Sequence, residues 1–338
     1  MPLSTPNTLQ LPQPATYFPI RNGRYDTAPG LFRLGTDFGN GIADTRLFQL
    51  DRDFHTFRAN KLACRAERFP KYVCMDDLSP DLERAVVSLI CSHLSRDYPT
   101  WFESIAHPDG SVGFHCDLTG DRLLFDAQGR LMQATEKNER SQEVNYVSPW
   151  DAMCCQVQED VAVVRRSPGR GDWIAALHLC APSRWAAEEK IGRSWSSAHE
   201  PVPGTEKLRT VGPAIVNTMI DQRPTVRFTW GIEFDTQLNR HPEPPSAALA
   251  PEWNTRVPRP DAPESLYLRT ERQVIWGLPE HDAAVFTIRI YHTPLSALRA
   301  NRGHQAALRN ALLSMSPASR EYKSMEACLS TVIALLDQ

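Results

Sequence analysis

The chain has 338 residues, 41% hydrophobic and 23% charged, the balance of a globular protein with a substantial core. A net charge of −3 offers no basic excess for phosphates, so nucleic acid is not an expected partner. The opening MPLSTPNTLQLPQPATYFPI lacks the basic start and apolar stretch of a signal peptide, and no run of ~18 apolar residues follows; a cytoplasmic protein without membrane association is expected.

Residues 1–16, rich in Pro, Thr, Ser and Gln, read as a flexible arm. Gly39-x-Gly41 is half a dinucleotide fingerprint, with no strand before it. Segment 79–96 is the clearest helix: Ser79 can cap it, Pro80 suits its first turn, and Leu82, Val86, Leu89, Ile90 and Leu94 share one face. From about residue 111 the pattern turns to strands, with a turn at Asp126–Gly129 and a β-favouring run ending at 164. Strand 173–181 precedes a short helix around 184–191 and a loop containing HEPVPG. Residues 225–235 form another strand, and 266–276 and 283–291 pair through a hairpin loop at Gly277–Asp282. The proline-loaded stretch 240–263 reads as a surface connection, and 301–338 as helices. Hairpin-joined strands with helices before and between them give an α+β fold with a mostly antiparallel sheet.

The cysteines are Cys64, Cys74, Cys91, Cys116, Cys154, Cys155, Cys180 and Cys328. They lack the paired spacing of a zinc knuckle or ferredoxin, and the haem-attachment string Cys-x-x-Cys-His is missing. Reduced, mostly structural thiols are the expected state.

Three segments take the reading further: VQEDVAVV around Gln158–Asp160, LHLCAPSRWAAEEKIGRSWSSAHEPVPG at 177–204, and LYLRTERQVIWGLPEHDAAVFTIRIYHTPL at 266–295, preceded by RFTWGI at 227–232. In this order they resemble the haem-dependent oxidative N-demethylase family, from about Tyr17 to Arg299. The resemblance implies a domain over 17–300, with a PAS-like haem-binding core at about 150–292 and flanking N- and C-terminal helical segments. It also implies haem b, O2-dependent demethylation of a secondary amine such as dimethylamine with release of formaldehyde, and electrons from separate flavin and iron–sulfur subunits. The chain departs from the family's Arg-x-Asn-Trp string at Thr229, and from its usual Gln-Thr-Leu at Val274 and Ile275.

Haem needs an apolar slot, a rigidly aimed axial ligand and cations for its propionates. His199 is the candidate iron ligand, its backbone stiffened by Pro201 and Pro203; His178 is the rival, and either histidine alone is as well explained by an ordinary structural role. Arg227, Arg269 and Arg272 are candidates to polarise O2 or clamp a propionate, or else to pair on a solvated sheet face. Alternation puts Arg269 and Glu271 on one face and Arg272 on the other, so at least one of these is structural. Glu271 is placed to hold a cationic amine or a structural ion pair, Trp230 to wall the pocket or fill the core, and Arg184 and Lys190 to meet propionates or face solvent. Two other readings remain open: a haem-containing PAS-like gas or redox sensor, and a non-haem small-molecule-binding relative.

Overall fold

The computed structural model describes residues 10–26, 30–134, 144–206, 208–253, 266–298, 300–326 and 328–337. Residues 1–9 of the expected arm and 254–263 of the proline-rich connection lie outside them. Helix α1 (Phe54–Tyr72) buries Phe54, Phe57, Arg58, Lys61 and Cys64, a helical spacing in which cations occupy two core positions. Arg68 leaves helical geometry two residues before Pro70, whose missing N–H and ring break the hydrogen-bond ladder. Helix α2 (Pro80–Asp97) starts as expected, Ser79 Oγ accepting from the Leu82 N–H.

Two antiparallel sheets follow. The smaller is a meander of β3 (Phe102–Ala106), β4 (Val112–Cys116), β5 (Asp121–Phe125) and β6 (Leu131–Ala134). The larger is seven-stranded in the order β1-β9-β10-β11-β7-β8-β2, where β1 is Phe32–Arg33, β2 Val73–Met75, β7 Asp160–Ser167, β8 Gly171–His178, β9 Thr225–Glu233, β10 Tyr267–Leu278 and β11 Ala283–Pro294. The β10–β11 ladder runs unbroken from Tyr267↔Pro294 to Leu278↔Ala283. Gly277 therefore belongs to the strand, and the turn is Pro279–Asp282, with Asp282 left-handed at φ 47°. Gly277 is needed for another reason: a Cβ there would lie 2.0 Å from the Ile220 carbonyl oxygen.

Strand alternation divides the large sheet's surroundings into distinct cores. Val161, Val163, Val226, Phe228, Val274 and Val285 pack with α1, α2 and α3 (Pro149–Cys154). The opposite face carries Ala162, Val164, Ile174, Leu177, Ile275, Phe286 and Ile288, which meet α5 (Trp195–Ala198) and α6 (Leu208–Asp221). Of the C-terminal helices, α9 (Arg302–Leu313) and α11 (Leu329–Leu336) form a third core with Ile232, Leu268 and Leu295, and α10 (Pro317–Tyr322) links them between Met315 and Met325 of the same core. The 240–263 connection does not begin on the surface, since Arg240 and His241 are buried. Among the described residues no helix is long and apolar enough to cross a membrane.

The Gln-Glu-Asp string is a staple at the start of β7. Gln158 Oε1 accepts from the Asp51 N–H (2.8 Å), Glu159 Oε1 from the Gln49 N–H (2.8 Å), and Asp160 from the N–H groups of Cys180 (2.9 Å) and Ala181 (2.7 Å). Buried backbone donors are satisfied in this way, and the chain entering α1 is fixed to the end of β8.

Candidate functional site

A cavity of about 1230 Å³ lies against the face of the large sheet covered by α5 and α6. Its floor includes Ala162, Val164, Ile174, Leu177, Ile275, Phe286 and Ile288; its roof includes Trp195, His199, Val202, Ile215 and Met219. It continues past β9 to the 16–26 segment and to Tyr322 and Lys323 of the tail. The volume exceeds the ~300–1,000 Å³ of an ordinary small-molecule pocket, and the lining is mainly apolar with a few convergent polar groups.

His199 follows α5, whose start Ser194 caps by accepting from the Ser197 N–H (3.2 Å). Nδ1 donates to the Trp195 carbonyl oxygen (2.8 Å), leaving Nε2 as the acceptor nitrogen, without a hydrogen-bond partner among the described residues. Trp195 packs on the ring with centroids 4.4 Å apart. Val202 N–H and Thr205 Oγ1 both bond the His199 carbonyl, so the Pro-Val-Pro-Gly loop is tied to its base. Burial lowers the imidazole pKa to about 4, helped by Arg227 and Lys190 and opposed by the Trp195 bond. The ring is thus neutral at physiological pH, as a metal-ligating histidine must be.

Register brings the polar end of the cavity together. Glu271 pairs with Thr229 across β10–β9, and Gln273 with Arg227. Glu271 Oε2 accepts from Thr229 Oγ1 (3.0 Å) and Gln273 Nε2 (3.0 Å), while Oε1 lies 3.8 Å from Arg269 Nε. Thr229 is thus a position where the chain departs from the family string and also a direct support of Glu271. Arg227 lines the cavity with a buried Nε that meets no acceptor among the described residues, and burial lowers its pKa although Glu271 opposes this. Arg269 is buried and donates to the Ala181 carbonyl (2.7 Å). Arg184, left-handed at φ 63°, donates both terminal nitrogens to Glu233 (2.6 Å each), so its fork is already engaged. Lys190 lines the cavity and donates to the Ala198 carbonyl. Trp230 also reaches the lining, although its β9 position alternates with Thr229 and it packs with the C-terminal core.

Two candidates lie elsewhere. Arg272 points to the opposite face and donates to the Arg46 carbonyl (2.7 Å), the structural member that alternation required. His178 does not line the cavity. On the reverse face of β8, its Nε2 lies 3.3 Å from Asp151 Oδ1 and 3.9 Å from Cys155 Sγ, all fully buried. Arg65 donates to both Asp151 oxygens (2.7 and 2.6 Å), so this cluster is a buried ion network with its carboxylate saturated. Thr229, Gln273, the α6 roof and the C-terminal wall were absent from the sequence candidates; the alternation that separated Arg269 from Arg272 also carries the signal for the first two.

The structure is thus an antiparallel α+β body with a backbone-anchored histidine and a buried arginine in one large, mainly apolar cavity. The sequence model described as haem-dependent oxidative N-demethylase, alpha subunit-like, matches residues 40–333, and the chain belongs to that family. The cavity residues fit haem: the floor offers an apolar slot, His199 Nε2 a ligand atom, and Arg227 an unmatched cation for an anionic oxygen.

Proposed function

We propose that the chain is the haem-binding catalytic subunit of a monooxygenase-type oxidative N-demethylase that removes a methyl group from a small secondary or N-methylated amine. The reaction balances as one N-methyl amine, one O2, two electrons and two protons giving the demethylated amine, one formaldehyde and one water. The observation that carries this reading is a backbone-anchored histidine, His199, and a supported carboxylate, Glu271, in one cavity. The strand order supports the PAS-like part: numbered along the chain, β7 to β11 stand 2-1-5-4-3, with the covering helices inserted between the second and third.

Haem b held by His199 would supply O2 activation. His199 is aimed by the Trp195 carbonyl, which fixes the tautomer and leaves Nε2 to the iron. Arg227 stays charged and offers donors to an anionic oxygen in the cavity. Glu271 binds the N–H of the protonated amine and accepts its proton; Thr229 and Gln273 occupy Oε2, and Oε1, 3.8 Å from Arg269 Nε, is the oxygen that would meet the substrate. The apolar floor excludes water from the reacting N–CH3 group. Among the described residues the cysteines show no iron–sulfur arrangement, so a flavin or iron–sulfur reductase is the proposed electron donor. All eight thiols are free, which supports a reducing cytoplasmic setting.

The test is formaldehyde release from a panel of methylated amines, with a chemical or enzymatic reductant under O2. Glu271→Gln is expected to lower kcat/KM by roughly 100-fold or more with the haem spectrum unchanged. No formaldehyde above a free-haem control, with any amine, would remove the substrate assignment.

A further inference from the structure

The cavity histidine is carried by very little structure. Helix α5 is four residues long, a single turn, and a single turn does not hold itself in water because nucleation is unfavourable. The aim of His199 must therefore be imposed from outside α5. Two charged side chains do this, one at each end. Asp172, the second residue of β8, accepts the Trp195 N–H at Oδ2 over 2.6 Å, a short charge-assisted bond. Lys190, the last residue of α4 (Ala187–Lys190), donates from Nζ to the Ala198 carbonyl. Trp195 is thus held at both backbone groups, its N–H by Asp172 and its carbonyl by His199 Nδ1 (2.8 Å), while its ring packs on the imidazole. Arg166, opposite Asp172 in the β7–β8 ladder, is engaged by Asn217, Asp221 and Asp282, which leaves the Asp172 carboxylate to Trp195. The loop before α5 is fixed as well: the Gly192 N–H and the Arg193 carbonyl bond the carbonyl and N–H of Ile174, both at 2.9 Å. On the other side α6 packs closely, since a Cβ added at Gly212 would lie 3.0 Å from Ser196 Cβ.

We propose that Asp172 and Lys190 are positioning residues for the iron ligand: they clamp the two ends of α5 and so hold the Nδ1–H bond that aims His199. This rests on the haem reading of the cavity and deepens it, because it places control of the ligand in two side chains that act through the backbone of α5. The physical basis is that a ligand imidazole is oriented by the acceptor on its other nitrogen, and that acceptor is only as fixed as the backbone that carries it. The same geometry gives Lys190 a task other than pairing with a propionate: its ammonium is directed at the Ala198 carbonyl, one residue before the ligand.

The experiment uses the full chain loaded with haem and reads two quantities: the iron–histidine stretching band of the ferrous form by resonance Raman, and the rate of haem transfer to excess apomyoglobin. Asp172→Ala is expected to lower and broaden the band, as the Nδ1–H bond slackens, and to speed haem loss by roughly 10-fold. Asp172→Asn keeps an oxygen acceptor for the Trp195 N–H and should restore the band, with haem loss within about twofold of wild type. Lys190→Met, at a half-buried site, tests the same clamp should Asp172→Ala fail to fold. It should speed haem loss equally for haem and for haem dimethyl ester, since the ester has no propionate charge to lose. A fall in melting temperature with an unchanged band would make Asp172 merely structural and overturn the proposal. So would a Lys190→Met effect that vanishes with the ester, which would make Lys190 a propionate partner. A wild-type protein that takes up haem but shows none of these dependences leaves the haem reading standing without the clamp. One that takes up no haem overturns the haem reading, and the clamp with it.

Discussion

The polar groups of the cavity differ in how well they are partnered, and that difference sets their expected roles. Arg184 and Arg269 already hold Glu233 and backbone carbonyls, whereas Arg227 Nε has no acceptor among the described residues. Arg227→Met should therefore leave the melting temperature little changed, or raise it, because it removes a buried charge whose desolvation outweighs the opposing effect of Glu271. It should lower O2-dependent turnover by roughly 100-fold. A stability loss without a turnover loss would make Arg227 structural. His199 gives a pH prediction for the haem-free protein. Its folded pKa, about 4, lies below the ordinary 6.5, so the unfolded chain binds the proton more readily between these values. Its contribution to stability is whole above pH 6.5 and is lost as pH falls towards 4; His199→Gln should flatten that part of the melting curve. The residue signals in the sequence were uneven. His199, Arg227 and Glu271, singled out from three separate strings, all line the cavity, and alternation set Arg272 apart from Arg269. His178 was misleading because a buried histidine in a strand carries no mark of which face it takes.

Elements with simple apolar periodicity, such as α2 and β9 to β11, were legible nearly to their ends, whereas the run read to 164 continues as β7 to Ser167 and its first residues, Met153 and Cys154, belong to α3. Helix α1 was not, because Arg58 and Lys61 fill two of its core positions. Each finds acceptors there, Arg58 at Asp121 and the Cys155 carbonyl, and Lys61 at the carbonyls of Cys154 and Glu159. No periodicity argument supplies such partners. Helix α6 was obscured by Gly212 and Pro213, although Val216, Met219 and Ile220 bury its apolar side. Its seat is Gly277, whose conformation is ordinary strand but whose missing side chain admits the Ile220 carbonyl. Gly277→Ala should cost about 3 kcal/mol or more, because the obstruction is backbone rather than a movable side chain. Denaturant unfolding measures this, and an unchanged midpoint would mean that α6 is not clamped on β10. The Asp160 staple belongs to the same scale. Asp160→Ala strands two buried N–H groups on the chain after β8, at an expected cost of about 2–5 kcal/mol.

At the scale of the molecule, the 16–26 segment, sheet, roof and tail converge on one cavity, which a reading segment by segment could not anticipate. The sequence placed 301–338 outside the domain as accessory helices, whereas Met325, Cys328, Val332 and Leu336 join a core with sheet residues Ile232 and Leu268. The family match, at residues 40–333, also runs through most of that tail. The open space can be probed at Gly231, where an added Cβ meets nothing within 4 Å. Gly231→Phe should fold normally and reduce occupancy of the cavity. The central claim is that this cavity holds haem on His199. The visible spectrum of purified protein, oxidised and dithionite-reduced, compares wild type with His199→Ala most directly. A Soret band that is strong in wild type and lost or shifted in the variant is the predicted result. A wild-type protein without a Soret band after haem reconstitution, or a variant spectrum identical to wild type, would contradict it.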